Sequence, residues 1–366
     1  MTETAAIAGQ IFRQLGDTHG AEGTITYVSV PGNEQARWLL PARCPKIGGV
    51  LAGWEPYRMR SRAAWTVVRA ANRLGRMTAI PGTSVLQADK VCDCDWSLLG
   101  WQSSESPVPV IYLGTPGPQR KAVVHLVERE SGRCRAVVKV PLTDEAKIAI
   151  LREAEALQAL GTEHVESAPH LLHTDRAKGI TTQSFVEGRS GSRKLRPENW
   201  QLLRSLLLVG ETTSLAEYTP EWTQAVESFA DGSAKSRFLA AIDQVADDSP
   251  LPACWEHGDF APWNIKQRTD GRCALVDWEE ARRGGLPLLD VYHFLHIQDF
   301  LFGGRPRLHA AEIAPEANEI GVTPALCQKL EGAYLVGAYL KCIQRQDRKR
   351  AGFVNEALVV WRRQAA

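Results

Sequence analysis

Between residues 106 and 187, short apolar runs alternate with turn signals and then give way to a helical period. Residues 108–113 (Val-Pro-Val-Ile-Tyr-Leu) form a β-rich run, and the cluster Gly114-Thr115-Pro116-Gly117-Pro118 breaks it. Residues 122–127 and 135–140 predict two more strands, separated by a turn at Ser131-Gly132. From 144 to 160 the period changes. Ile148, Leu151, Ala154, Leu157 and Leu160 recur at three- and four-residue spacing, which predicts a helix. Three strands followed by a helix make a compact α+β unit.

After residue 188 the helical period dominates, with helices expected near 197–209, 234–246, 287–301, 324–343 and 353–363. The stretch 254–281 interrupts them. Its short β-like runs, Asn264-Ile265-Lys266 and 273–276, are broken by Asp270-Gly271, the pattern of a hairpin set in a helical domain. Residues 1–105 have a third texture, rich in Arg, Trp and Gly. The expected organisation is an N-terminal extension (1–105), a strand-rich segment (106–187) and a helical segment (188–366).

Composition narrows the function classes. The 366 residues carry 43 Lys and Arg against 42 Asp and Glu, so the chain is close to neutral and is not built as a bulk nucleic-acid binder. No apolar stretch is long enough to span a bilayer, and the first residues lack the basic start of a secretion signal. The eight cysteines follow no tight framework, so reduced thiols in a cytoplasmic protein are expected. Cys92 and Cys94 form a C-x-C pair, but no second pair or His cluster sits at zinc-site spacing. His293 and His296 are expected to be packed or surface histidines.

Charge is uneven locally. Residues 37–76 hold Arg37, Arg43, Lys46, Arg58, Arg60, Arg62, Arg69, Arg73 and Arg76 against the single acid Glu55. Arg62, Arg69, Arg73 and Arg76 could share one side of a helix that buries Trp65, Val68 and Leu74. Such a face is either simply solvated or an anion-binding surface for an acidic substrate, a sugar-phosphate or a lipid headgroup.

The chemistry concentrates in the interrupted stretch. It reads His257-Gly258-Asp259-Phe260-Ala261-Pro262-Trp263-Asn264, then Leu275-Val276-Asp277-Trp278. Three oxygen-bearing side chains thus fall in one hairpin. Magnesium takes few oxygen ligands from protein and the rest from phosphates and water, a need that Asn264 and Asp277 fit. Asp259 is left over, and a free carboxylate beside a metal-bound phosphate can accept a hydroxyl proton. Taken singly, each could instead be a turn residue or a local cap.

H-G-D-x-x-x-x-N followed by an apolar-apolar-Asp resembles the catalytic hairpin of the aminoglycoside phosphotransferase and choline kinase group, within the protein-kinase-like superfamily. The resemblance implies a two-lobed α+β fold, with a small β-rich N-lobe, a larger helical C-lobe and an extra N-terminal segment here. It implies ATP and Mg2+, with Asp259 as catalytic base and Asn264 and Asp277 as metal ligands. Ala136-Val137-Val138-Lys139 resembles the third-strand lysine motif, and Arg152-Glu153-Ala154 the segment that supplies its glutamate partner. Glu155, two residues on, would face away from Glu153 on a helix. The turn with Gly114 and Gly117 falls where a phosphate-covering loop belongs, although G-x-G-x-x-G is absent. Gln183-Ser184-Phe185-Val186-Glu187-Gly188 resembles the hinge, where the backbone of Phe185 and Val186 would hold the adenine. Asp290 in Pro287-Leu288-Leu289-Asp290 is expected to bond backbone near the catalytic loop.

Two departures from protein kinases bear on substrate class. Gly258 replaces the arginine that reads a phosphorylated activation loop. Twelve residues separate Asp277 from Asp290, too few for a segment that docks a peptide. The expected acceptor is a small molecule: a sugar, an amino sugar or an amino alcohol. Trp263, Trp278, Glu279 and Glu280 are candidates for the acceptor side, or else the carboxylates are helix caps or partners of Arg282 and Arg283. No G-x-x-x-x-G-K-[ST] phosphate loop, G-x-S-x-G nucleophile elbow or H-E-x-x-H zinc helix competes. The alternative is a catalytically silent nucleotide-binding scaffold, linked in this reading to surface-polysaccharide machinery.

Overall fold

In the computed structural model, the described residues are 3–16, 24–32, 36–57, 59–89, 96–102 and 105–365. Cys92, Cys94 and Arg58 lie outside them. The chain divides into two compact units: residues 1–190 with 266–279, and residues 191–265 with 280–366.

The first unit is built on an eight-stranded sheet in the order β3-β1-β2-β4-β5-β6-β8-β7. Its strands are β1 (Thr24–Val30), β2 (Trp38–Pro41), β3 (Ser84–Asp89), β4 (Val108–Leu113), β5 (Lys121–Val127), β6 (Cys134–Pro141), β7 (Leu171–Asp175) and β8 (Ile180–Ser184). The N-terminal segment therefore supplies three strands of the same sheet, with β2 pairing β4 at Trp38↔Tyr112 and Leu39↔Ile111. Alternation along each strand gives the sheet two apolar faces. Ala122, Val124 and Leu126 of β5, with Ala136, Val138 and Val140 of β6, join Ile11 and Phe12 of helix α1 (Glu3–Leu15) in one core. Trp38, Leu40, Val108, Val110 and Val127 face the other way. They pack with Leu51 of α2 (Gly48–Ala52) and with Trp65 and Val68 of α3 (Met59–Arg73). The expected burial of Leu74 is not found. It lies one residue past α3 on the solvent side and is exposed.

Helix α4 (Asp144–Thr162) follows β6 directly. The Thr143 hydroxyl accepts from the Ala146 amide at 3.1 Å, and Asp144 and Glu145 sit in the positive first turn. A small second sheet pairs β9 (Arg189–Ser190), β12 (Ile265–Gln267) and β13 (Cys273–Leu275). The expected hairpin at 264–276 is present as β12 and β13. Its stretch from 266 to 279 belongs to the strand-rich unit rather than to the helical one.

The second unit is mostly helical: α5 (Pro197–Ser205), α6 (Thr219–Glu227), α7 (Gly232–Val245), α8 (Leu289–Leu301), α9 (Ala310–Asn318), α10 (Pro324–Gln344) and α11 (Arg348–Ala365). One apolar core joins them, including Phe238, Tyr292, Leu335 and Trp361. The helix expected over 197–209 stops at Ser205. Residues beyond it form β10 (Leu207–Thr213), which pairs β11 (Leu251–Glu256) at Leu207↔Cys254 and Thr213↔Leu251, with β14 (Arg282–Gly285) on the far side of β11. The run Leu206-Leu207-Leu208-Val209 has no helical period of its own, so strand pairing decided its state. Among the described residues no helix is long and apolar enough to cross a membrane.

Candidate active site

The candidate residues fall into two groups, one in each unit. In the first unit, alternation on β6 sends Lys139 off the face opposite Ala136, Val138 and Val140. Its Nζ lies 2.7 Å from Oε1 and 2.6 Å from Oε2 of Glu153 on α4, and 2.6 Å from Oδ1 of Asp277. Lys139 and Glu153 are both buried. Oε1 of Glu153 also accepts the backbone N–H of Trp278 at 3.1 Å. A single carboxylate therefore holds the lysine and fixes the chain immediately after Asp277. Glu155 points out to solvent and pairs with Arg176 at 3.2 Å.

Asp277 takes φ 73°, the left-handed region that non-glycine residues seldom occupy. Its Oδ1 receives a second ammonium, Lys121, at 2.9 Å, and Lys121 also bonds Glu279. Burial opposes the charged form of Asp277, but the two lysines outweigh it and hold the carboxyl well below the usual range. Burial raises Glu279, and the neighbouring Asp277 charge adds to that, against the pull of Lys121. The sequence reading does not single out Lys121. Its signal was the strand period: Lys121, Val123 and His125 share one face of β5, and Val123 lies opposite Lys139 in the register.

The remaining first-unit candidates are placed by backbone. The Gly114 amide donates to the Lys121 carbonyl at 2.9 Å and the Gly117 carbonyl accepts from Arg120 at 3.2 Å, so both sit in the β4–β5 turn that ends at Lys121. A Cβ on Gly114 would meet the Lys121 carbonyl oxygen at 2.8 Å, which explains the glycine there. Phe185 follows β8, donates its amide to the Arg135 carbonyl at 3.0 Å and sets its ring edge-on to His125. Val186 is half-buried beside it.

In the second unit, Gly258 adopts φ 76°, and a Cβ there would lie 2.6 Å from the Glu280 carbonyl oxygen. Only glycine permits this bend, which presents Asp259. Asp290 ties the bend down. Its Oδ2 accepts from the His257 amide at 2.7 Å and its Oδ1 from the Gly258 amide at 2.9 Å. Burial, aided by the charge of Glu256, pushes Asp290 up to about 7 despite those two donors. Asn264 donates Nδ2 to the Asp259 carbonyl at 2.9 Å and to its Oδ2 at 2.8 Å. His293, on α8, places Nε2 3.0 Å from Oδ1 of Asp259. His293 is buried, as expected, but its link to Asp259 was not foreseen, because nothing in the sequence relates positions 34 apart.

In the first unit, Asp277 is kept ionised, a donor that suits a hard divalent cation. In the second unit, the Asn264 amide nitrogen is committed to Asp259, which leaves its amide oxygen, also a hard donor. The acceptor-side expectations change. Trp278 is fully buried, its indole N–H bonding the Leu275 carbonyl at 3.1 Å, so its ring cannot serve as a stacking platform. Glu279 pairs with Lys121, while Glu280 pairs with Arg345 and lies 3.7 Å from Lys341. Arg282 and Arg283 pair instead with Glu221 and Glu211. The described cysteines are all free thiols.

A family model described as the phosphotransferase enzyme family (APH) matches residues 119–316. No curated protein sequence matches the chain. Among solved structures, a thermostable mutant of aminoglycoside phosphotransferase APH(4)-Ia superposes with a TM-score of 0.50 at 15% identity, over 70% of this chain and 94% of that one. A choline/ethanolamine kinase family protein from Mesorhizobium loti matches with a TM-score of 0.38 at 16% identity, over 69% of this chain and 87% of that one. The first likeness shows a shared kinase-type α+β fold.

Proposed function

The chain belongs to the phosphotransferase enzyme family, and from that premise we propose that it transfers the γ-phosphate of ATP, with Mg2+, to a hydroxyl of a small molecule. The observation that carries the reading is Lys139, buried and held by Glu153 and Asp277 at hydrogen-bond distance. A buried ammonium with a fixed rotamer is what α- and β-phosphates require, and phosphoryl transfer asks mainly for positioning and charge neutralisation.

In this reading, Lys139 orients the triphosphate. Asn264 and Asp277 hold the magnesium, which when bound neutralises charge on the phosphate oxygens. Asp259 receives the proton of the acceptor hydroxyl. Both its oxygens already have donors, Oδ1 facing His293 and Oδ2 facing Asn264, so the carboxylate is oriented before the acceptor arrives. Gly114 and Gly117 lie in the turn that covers the phosphates, and the backbone at Phe185 and Val186 holds the adenine. The acceptor in this reading is a sugar, amino sugar or amino alcohol.

The test is an ATP-depletion screen against amino sugars, simple sugars, nucleosides, choline and ethanolamine, followed by Asp259→Asn on the best acceptor. Turnover should fall at least about a hundredfold while nucleotide affinity is kept. Near-wild-type turnover in that variant would remove Asp259 as the base. Nucleotide binding without consumption of ATP by any acceptor would favour a silent scaffold.

A further inference from the structure

Helix α3 carries two apolar faces, and among the described residues only one of them packs into a core. The inner face is fixed by Trp65 and Val68 in the core, by the Trp65 indole N–H on the Leu51 carbonyl at 3.0 Å, and by the Asn72 amide on the Cys44 carbonyl at 2.9 Å. These contacts set the rotation of the helix. At 100° per residue, Met59, Ala63, Val67, Ala70 and Leu74 then line the diametrically opposite side. Leu74 continues the helical path, since its amide still bonds the Ala70 carbonyl at 3.1 Å. The helix stops just after it. Gly75 takes φ 64°, its amide bonds the Asn72 carbonyl, and the Arg76 amide bonds the Ala71 carbonyl, which is a Schellman closure.

This outer stripe lies in water: Met59 is 85% exposed, Val67 51% and Leu74 71%. Arginines border it on both sides. Arg60 lies along one edge and Arg62, Arg69 and Arg73 along the other, with Arg76 just past the end. Residues 59–76 contain no Asp or Glu, and the nearest acid along the chain, Glu55, is engaged by Arg62 at 2.6 Å. A convex apolar strip flanked by guanidinium groups fits a flat, deformable, negatively charged surface better than a pocketed one. Long cationic side chains reach sideways to headgroups while the strip enters the acyl boundary.

We propose that the outer face of α3 docks this protein peripherally on anionic membrane, with the Met59–Val67–Leu74 stripe inserted and the flanking arginines on lipid phosphates. The face belongs to the helix that covers one side of the central sheet, so attachment leaves the fold unaltered.

The experiment is sedimentation of the full chain with vesicles of phosphatidylcholine alone and of equal parts phosphatidylcholine and phosphatidylglycerol. The wild type should partition at least about tenfold more strongly onto the anionic vesicles, and added salt should weaken it. Arg60→Glu with Arg73→Glu, and separately Val67→Ser with Leu74→Ser, should each remove most of that preference. All four positions are exposed, and far-ultraviolet circular dichroism with urea unfolding reports whether the fold is kept. Equal partitioning of the wild type onto both vesicles overturns the proposal, as does wild-type binding by either double variant. Concentration-dependent self-association that Val67→Ser with Leu74→Ser abolishes, without vesicle binding, would instead assign the face to a second copy of the chain.

Discussion

Nε2 of His293 lies 3.0 Å from Oδ1 of Asp259, across a sequence separation of 34 residues. Burial lowers the His293 pKa, and Asp259 only partly restores it, so the ring is neutral near pH 7 and offers Nε2–H to the carboxylate. With Asn264 on the other oxygen, Asp259 has one favoured rotamer.

The first prediction concerns that contact. His293→Ala should lower turnover roughly tenfold with little change in the KM for nucleotide, because the base loses its orientation and not its charge. His293→Gln, which can place an N–H near the same oxygen, should recover part of the loss. Equal activity of Ala and Gln variants would reduce His293 to a packing residue. Steady-state kinetics with the acceptor found by the screen gives the readout.

Glu153 supplies the second. It is buried, holds Lys139 and accepts the Trp278 amide. Glu153→Ala leaves the buried Lys139 ammonium crowded with that of Lys121 on one oxygen of Asp277, and the Trp278 amide without its acceptor. Breaking a buried pair in this way costs about 3–5 kcal/mol, to be read from urea unfolding. Nucleotide affinity should fall as well, since Lys139 is no longer held. Glu155→Ala, at an exposed surface pair, should change stability by less than about 1 kcal/mol.

A third prediction follows from His125. Its ring stacks on Trp38 and its Nδ1 bonds the Val110 carbonyl at 3.2 Å, and burial pushes its pKa down to about 4 from the ordinary 6.5. The unfolded chain therefore binds a proton between pH 6.5 and 4 that the folded chain refuses. Stability contributed by this site is full above about 6.5 and is lost as pH falls toward 4. His125→Phe removes the titration. Between pH 7 and 5 the variant should lose about 1–2 kcal/mol less stability than the wild type, measured by denaturant unfolding at each pH. Parallel losses in the two proteins would contradict the assignment.

Much of the fold was legible because it is local. Strands 108–113, 122–127 and 135–140 and the helix after them are written in period and turn residues, and the structure has them as β4, β5, β6 and α4. The three N-terminal strands were not legible. They earn their place only by pairing into a sheet whose other members lie far along the chain, and residues 207–213 became a strand for the same reason. Leu74 shows the limit of periodicity from another side. The spacing that places it on an apolar face cannot say which of two faces the rest of the protein covers.

The candidate site divides along the same line. Residue type and spacing in one hairpin marked Asp259, Asn264 and Asp277, because a short motif fixes its chemistry along one backbone, whereas Lys139, Glu153 and Asp290 stood out through resemblance to the family's motifs. Tertiary structure alone decided that Lys121 shares an oxygen of Asp277, that His293 faces Asp259, and that Trp278 is sealed inside. Those relations join elements distant in the chain, and their energies come from burial and charge at contacts that exist only once the sheet and the helices have packed.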